Sequence, residues 1–125
     1  MTAPYLTEER LMIQDVARTF TLKEVLPVAN ALDPVQGQIP MDLRKKMGEM
    51  GYFGIQMSEE HGGMGLGVFE YCLIAEELAR GWMSVASIIA RANSMMNVGG
   101  WTEAKRRELT ARAAQGDYLA AVSLS

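Results

Sequence analysis

Apolar residues recur at helical spacing over most of this chain. Ile13, Val16, Ala17 and Phe20 fall on one stripe, and Arg10, Gln14 and Arg18 fall off it, the pattern of an amphipathic helix. Thr7 is a natural N-cap for that helix, and Glu8 and Glu9 suit the positive end of its dipole. Pro27 lacks an N–H and its ring clashes with the preceding turn, so a kink or break is expected there, with helix resuming to about Leu32. The stretch DPVQGQIP, residues 33–40, reads as a loop. A short helix follows with Leu43, Met47 and Met50 on one stripe, and Gly51 stands where helices commonly end in a left-handed conformation.

Residues 54–67, GIQMSEEHGGMGLG, interrupt the periodicity. From Val68 the pattern is again helical, with Tyr71, Cys72, Ala75, Leu78, Ala79 and Trp82 as a wide buried stripe. Glu76 and Arg80 stand as an i,i+4 pair, and Gly81 marks a turn. The next helix, from about Ser84, carries Val85, Ile88, Ile89, Ala92 and Met96 on one face and ends at Gly99 and Gly100. Thr102 caps a last helix that runs to about Gln115. The closing YLAAVSLS reads as a strand. The expected fold is therefore all-α, a bundle of four to six helices over residues 1–117, with a strand over 118–125. A lone strand leaves its backbone groups without ladder partners. Either another molecule supplies the rest of the sheet or the chain is cut from a longer protein, and truncation is the favoured expectation.

Composition adds few constraints. Hydrophobic residues make up 49% and charged residues 22% of the 125, enough for a core without a metal or disulfide staple. The single cysteine, Cys72, excludes an intrachain disulfide and fits a reducing compartment. No run approaches the roughly 18 apolar residues of a membrane span, and there is no apolar leader, so the chain reads as soluble and cytoplasmic. Net charge is −3, and the basic cluster Lys105, Arg106, Arg107 and Arg112 is interrupted by Glu103 and Glu108. That is a solvated helix face, not a nucleic-acid surface.

Candidate chemistry is sparse. The glycines at 62, 63, 65 and 67 give G-G-x-G-x-G, which misses the dinucleotide fingerprint, and no G-K-[ST] follows. A turn between helices is favoured over an anion-holding nest of N–H groups. His61, beside Glu59 and Glu60, is the only histidine, too few for a zinc site of the two-histidine kind. Glu76 and Glu77 are adjacent and point about 100° apart, so they cannot act as an opposed acid–base pair. Arg91 and Asn93 interrupt an apolar helix whose small residues Ala86, Ser87, Ala90 and Ala92 leave room beside it. That room suits close helix packing, the favoured reading on spacing alone, or a slot for an apolar ligand. The 10 methionines fit either.

MGEMGYFGIQMSEEHGGMGLGVFEYCLIAEELARG resembles the N-terminal helical domain of the acyl-CoA dehydrogenases, in which a G-x-x-G-I-x-x-P-E-E/D-x-G-G-x-G-L loop precedes a helix containing E-E-L-A-R. RANSMM and WTEAKRRELTARAAQGDYLAAVSLS resemble the segments that follow in the family, and the likeness runs from about Leu6 to Ser125. The resemblance implies an FAD enzyme that dehydrogenates an acyl-CoA thioester between its α and β carbons, with an electron-transfer flavoprotein as acceptor and a homodimeric or homotetrameric assembly. It implies that residues 1–117 are the N-terminal domain and that 118–125 is the first strand of a truncated middle β-domain. Ser87, Ile88, Arg91, Ala92 and Met95 match tail-contacting positions, and Val122, Leu124 and Ser125 match the strand against the flavin. No residue matches the catalytic carboxylate, which the family carries in a later domain, so the chain is expected to be incompetent alone.

Several positions depart from the family. Ser58 replaces the loop proline, His61 a common aromatic, and Trp101 a glycine. Arg91 puts a cation where a tail-lining residue is expected, which argues against a long unbranched acyl chain unless the arginine snorkels outward. Two other readings stand beside the leading one: a non-catalytic helical subunit docked on a separate flavoprotein, and a free-standing acyl- or lipid-binding module.

Overall fold

In the computed structural model of the chain, residues 3–94, 99–121 and 123 are described. Among them are six α-helices: α1 (Glu8–Phe20), α2 (Leu26–Leu32), α3 (Met41–Glu49), α4 (Val68–Gly81), α5 (Met83–Asn93) and α6 (Glu103–Ala114). The all-α expectation holds. Thr7 caps α1, its hydroxyl accepting from the Arg10 N–H at 3.2 Å, and Thr102 caps α6 in the same way.

Pro27 neither breaks nor sharply ends the first helix. Instead the turn before it widens into a π-helix, Thr21–Val25, in which the Leu26 N–H reaches the Thr21 carbonyl. The wider turn accommodates a proline ring that would otherwise press on the Lys23 carbonyl. A short 3₁₀ turn, Asp33–Val35, lies inside the loop, and Gly51 takes the left-handed conformation, φ 81°, beyond α3.

The core lies between α1, α4 and α5, where Phe20, Ile74, Leu78, Val85 and Ile89 meet Phe53. A smaller cluster holds α6 to the loop through Met57, Leu109, Ala113 and Ala114. The buried face of α4 is Leu73, Ile74, Glu77 and Leu78, and Cys72 is exposed. The expected stripe is thus rotated by about one residue. The cause is Glu77, which is 2% exposed and is held inward by Arg18 of α1 through two contacts, 2.8 and 3.3 Å. Arg80 joins Glu77 at 3.3 Å instead of pairing with Glu76. A carboxylate this deep is tolerable only while its cations stay with it. Gly81 ends α4, and the turn falls at Trp82 (φ −159°, ψ 111°), whose indole N–H donates to Asp33 Oδ1 at 2.9 Å.

The strand expected over 118–125 is not formed by its described residues, 118–121 and 123, which have no regular structure. A strand needs a ladder partner, and no strand is present among the described residues. Arg112 packs over the Tyr118 ring at 5.7 Å. Met96, expected on the buried face of the fifth helix, lies outside the described residues, and α5 ends at Asn93.

Candidate functional site on the fifth helix

Helix α5 has two faces with different jobs. Val85, Ile88, Ile89 and Ala92 enter the core, and Ser84, Ser87, Arg91 and Ser94 stand exposed on the outside. The expected tail-lining set is therefore split. Ser87 and Arg91, one turn apart, share the outer face, whereas Ile88 is 7% and Ala92 0% exposed. Consecutive helical residues diverge by about 100°, so the pairs 87/91 and 88/92 cannot line one surface. Met95 lies outside the described residues.

Arg91 is the only charged residue on α5. Among the described residues its guanidinium has no ion pair, hydrogen bond or aromatic partner. Asn93 was visible in the sequence only as an interruption of an apolar run, and the structure shows what it does. Its Oδ1 accepts from the Gln56 N–H at 3.0 Å, and its Nδ2 donates to the carbonyls of Tyr52, 3.1 Å, and Ile89, 2.8 Å. One amide thereby ties the end of α5 to residues 52–56.

From His61 to Gly67 the glycine loop has no backbone N–H to spare for a phosphate. The Gly63, Met64, Gly65 and Leu66 N–H groups donate to the carbonyls of Ser58, Gly54, Met57 and Ile55 at 2.8–3.0 Å. The Gly67 N–H is taken by Glu70 Oε2 at 3.1 Å. The loop is a folded turn, as expected, and the anion-nest alternative falls. Gly63 is required there because a Cβ would lie 2.2 Å from the Met57 carbonyl oxygen. His61 sits in the turn with Nδ1 2.7 Å from Ser58 Oγ, and no metal-binding cluster occurs among the described residues. The residues expected against a flavin, Val122, Leu124 and Ser125, lie outside the described residues.

Two grooves open elsewhere. One, about 310 Å³, runs between α1 and the glycine loop and is lined by Met12, Val16, Met50, Tyr52 and Met64. Tyr52 is 3% exposed, its hydroxyl has no hydrogen-bond partner among the described residues, and burial pushes its pKa up to about 12. The other, about 460 Å³, separates α3 from residues 115–117. Neither of these two includes α5, whose Ser84, Ser87, Arg91 and Ser94 are exposed on its outer face.

The family model described as acyl-CoA dehydrogenase, N-terminal domain, matches residues 7–117. The chain belongs to this family. Benzylmalonyl-CoA dehydrogenase of Aromatoleum aromaticum is 39% identical over 90 residues, covering 72% of this chain and 24% of the relative. A chain from the structure described as the electron transferring flavoprotein of Acidaminococcus fermentans superposes with a TM-score of 0.81 at 31% identity, covering 94% of this chain and 32% of its own. The glutaryl-CoA dehydrogenase complex with glutaryl-CoA gives 0.80 at 25% identity, with 94% and 31% covered. This acyl-CoA dehydrogenase N-terminal domain thus spans between about a quarter and a third of each of these three proteins. No helix among its described residues is long and apolar enough to cross a membrane.

Proposed function

We propose that the chain serves as the N-terminal domain of an FAD-dependent acyl-CoA dehydrogenase located in the cytoplasm, and that the outer face of α5 forms part of the wall against which the acyl group lies. The match over residues 7–117, in a helical fold that superposes on family members, carries this reading. FAD supplies the hydride acceptor for α,β-dehydrogenation. It is held by chain beyond the described residues, and an electron-transfer flavoprotein reoxidises it. The residues of this domain position the substrate. Ser87 and Arg91 present polar groups to the acyl chain, Asn93 locks the end of α5, and the glycine loop fixes the start of α4. The base that takes the α-proton lies outside this domain, and the working enzyme is a homodimer or homotetramer.

The test is anaerobic mixing of the protein with FAD and a panel of acyl-CoA thioesters, followed by absorbance of the flavin. The 125-residue chain alone is expected to retain no flavin and to bleach none, and bleaching is expected once a flavin-bearing domain of the family is supplied. Turnover by these residues alone would place both base and flavin site within them and overturn the reading.

A further inference from the structure

We infer that Arg91 selects acyl thioesters whose acyl group carries a second carboxylate. The inference rests on the reading of the α5 outer face as the acyl wall and goes beyond it by naming the substrate class.

Arg91 lacks the partners that the other arginines have. Arg10 pairs with Glu70, Arg18 and Arg80 with Glu77, Arg107 with Glu103, and Arg112 with Asp117. Arg44 donates to the Gly116 carbonyl at 2.6 Å, and Arg106 is also engaged. Arg91 alone among the arginines has no such partner among the described residues. It does not gain one from its own helix, whose sequence MSVASIIARAN holds no acid. Among the described residues no carboxylate of a neighbouring helix pairs with it: Glu70 is held by Arg10, Glu77 by Arg18 and Arg80, Glu103 by Arg107, and neither Glu76 nor Glu108 forms an ion pair with Arg91.

A substrate lying on α5 removes water from Arg91, and an unpaired guanidinium cannot be desolvated without a large penalty. An unbranched alkyl tail offers it nothing. A carboxylate offers the planar, bidentate acceptor that a guanidinium fits best, in the charge-assisted form that gains most as water leaves. Ser87, one turn earlier on the same exposed face, adds a hydroxyl donor for the same anion and keeps the wall low enough to admit it. The last turn of a helix favours any cation, so the dipole alone accounts for a positive charge here but not for a preference among substrates.

The experiment compares matched pairs in the flavin-loaded protein that includes its flavin-bearing domain: glutaryl-CoA against pentanoyl-CoA, and adipyl-CoA against hexanoyl-CoA. The readouts are kcat, KM and anaerobic bleaching for the wild type, Arg91→Gln and Arg91→Lys. The wild type is expected to favour the diacid thioester by at least about tenfold in kcat/KM. Arg91→Gln should bring that ratio close to one, mainly through the KM of the diacid, and Arg91→Lys should keep part of it. Arg91 is exposed on a helix surface, so neither variant disturbs the core. Bleaching by the monoacid thioesters with no diacid preference, or a ratio unmoved in Arg91→Gln, would overturn this inference and leave the dehydrogenase standing. Bleaching by no thioester would remove both.

Discussion

Replacing Asn93 by alanine tests whether one amide holds α5 in place. The three hydrogen bonds it makes are not equal. Ile89 lies four residues back on the same helix, where a backbone N–H already serves its carbonyl, so losing the Nδ2 contact there changes little. The Gln56 N–H sits on an exposed residue and can turn to water. The Tyr52 carbonyl belongs to a residue 3% exposed, and an orphaned buried acceptor costs about 1–3 kcal/mol. Adding a few tenths for the remaining two contacts gives about 2 kcal/mol for Asn93→Ala, which lowers the melting temperature by roughly 8 °C in a chain of this size. Asn93→Asp is the sharper variant. It keeps an acceptor for the Gln56 N–H but turns both donor contacts into carboxylate–carbonyl repulsions, so it should be at least as destabilising as alanine despite its identical shape. Thermal and urea denaturation of the three proteins side by side provide the measurement. Asn93→Asp matching the wild type, or Asn93→Ala losing less than about 0.5 kcal/mol, would show that packing, not the amide, holds this junction.

Three further outcomes follow from single positions. Ser58 already has φ −63°, ψ 150°, a proline conformation, so Ser58→Pro should raise stability by roughly 0.5 kcal/mol through the unfolded chain, less whatever its contact with His61 contributes; a fall in the urea midpoint refutes this. The Arg10 side-chain hydrogen bond holds the Glu70 carboxyl below its ordinary value of 4.5, so its stabilising contribution is present above that pH and is lost as pH falls through the lowered value. Glu70→Gln should therefore flatten the acid limb of a stability–pH curve, and an unchanged limb counts against the Arg10 contact. Tyr52→Phe removes a buried hydroxyl that has no hydrogen-bond partner among the described residues and should be neutral or stabilising by up to about 1 kcal/mol; in the parent protein, ultraviolet titration should show one of the 4 tyrosines ionising near 12.

What the sequence made legible was local chemistry. The Thr7 and Thr102 caps, the left-handed Gly51 and the glycine turn each depend on residues close in the chain, and each stands where it was expected. What it misplaced depended on distant partners. The α4 stripe rotated because Arg18, 59 positions away, draws Glu77 inward. The proline break became a π turn because the helix kept packing on both sides of Pro27 and widened to do so. Asn93 looked like an interruption because its partners, Tyr52 and Gln56, lie in a loop whose path only the fold supplies.

The same distinction bears on the candidate site. Matching Ser87, Ile88, Arg91 and Ala92 to a family's tail-contacting positions treats a helix as a line, yet the helix divides them by face. Ile88 and Ala92 already have neighbours in the core, so substituting either acts first on stability and reaches the substrate only through a shifted helix. Ser87 and Arg91 act on whatever covers the outer face, with little intervening structure to absorb the change. Kinetic variants at Ser87 and Arg91 are therefore the informative ones. A change in KM at Ile88 or Ala92 that came without any loss of stability would mean that the two sides of α5 are not as separate as their burial implies.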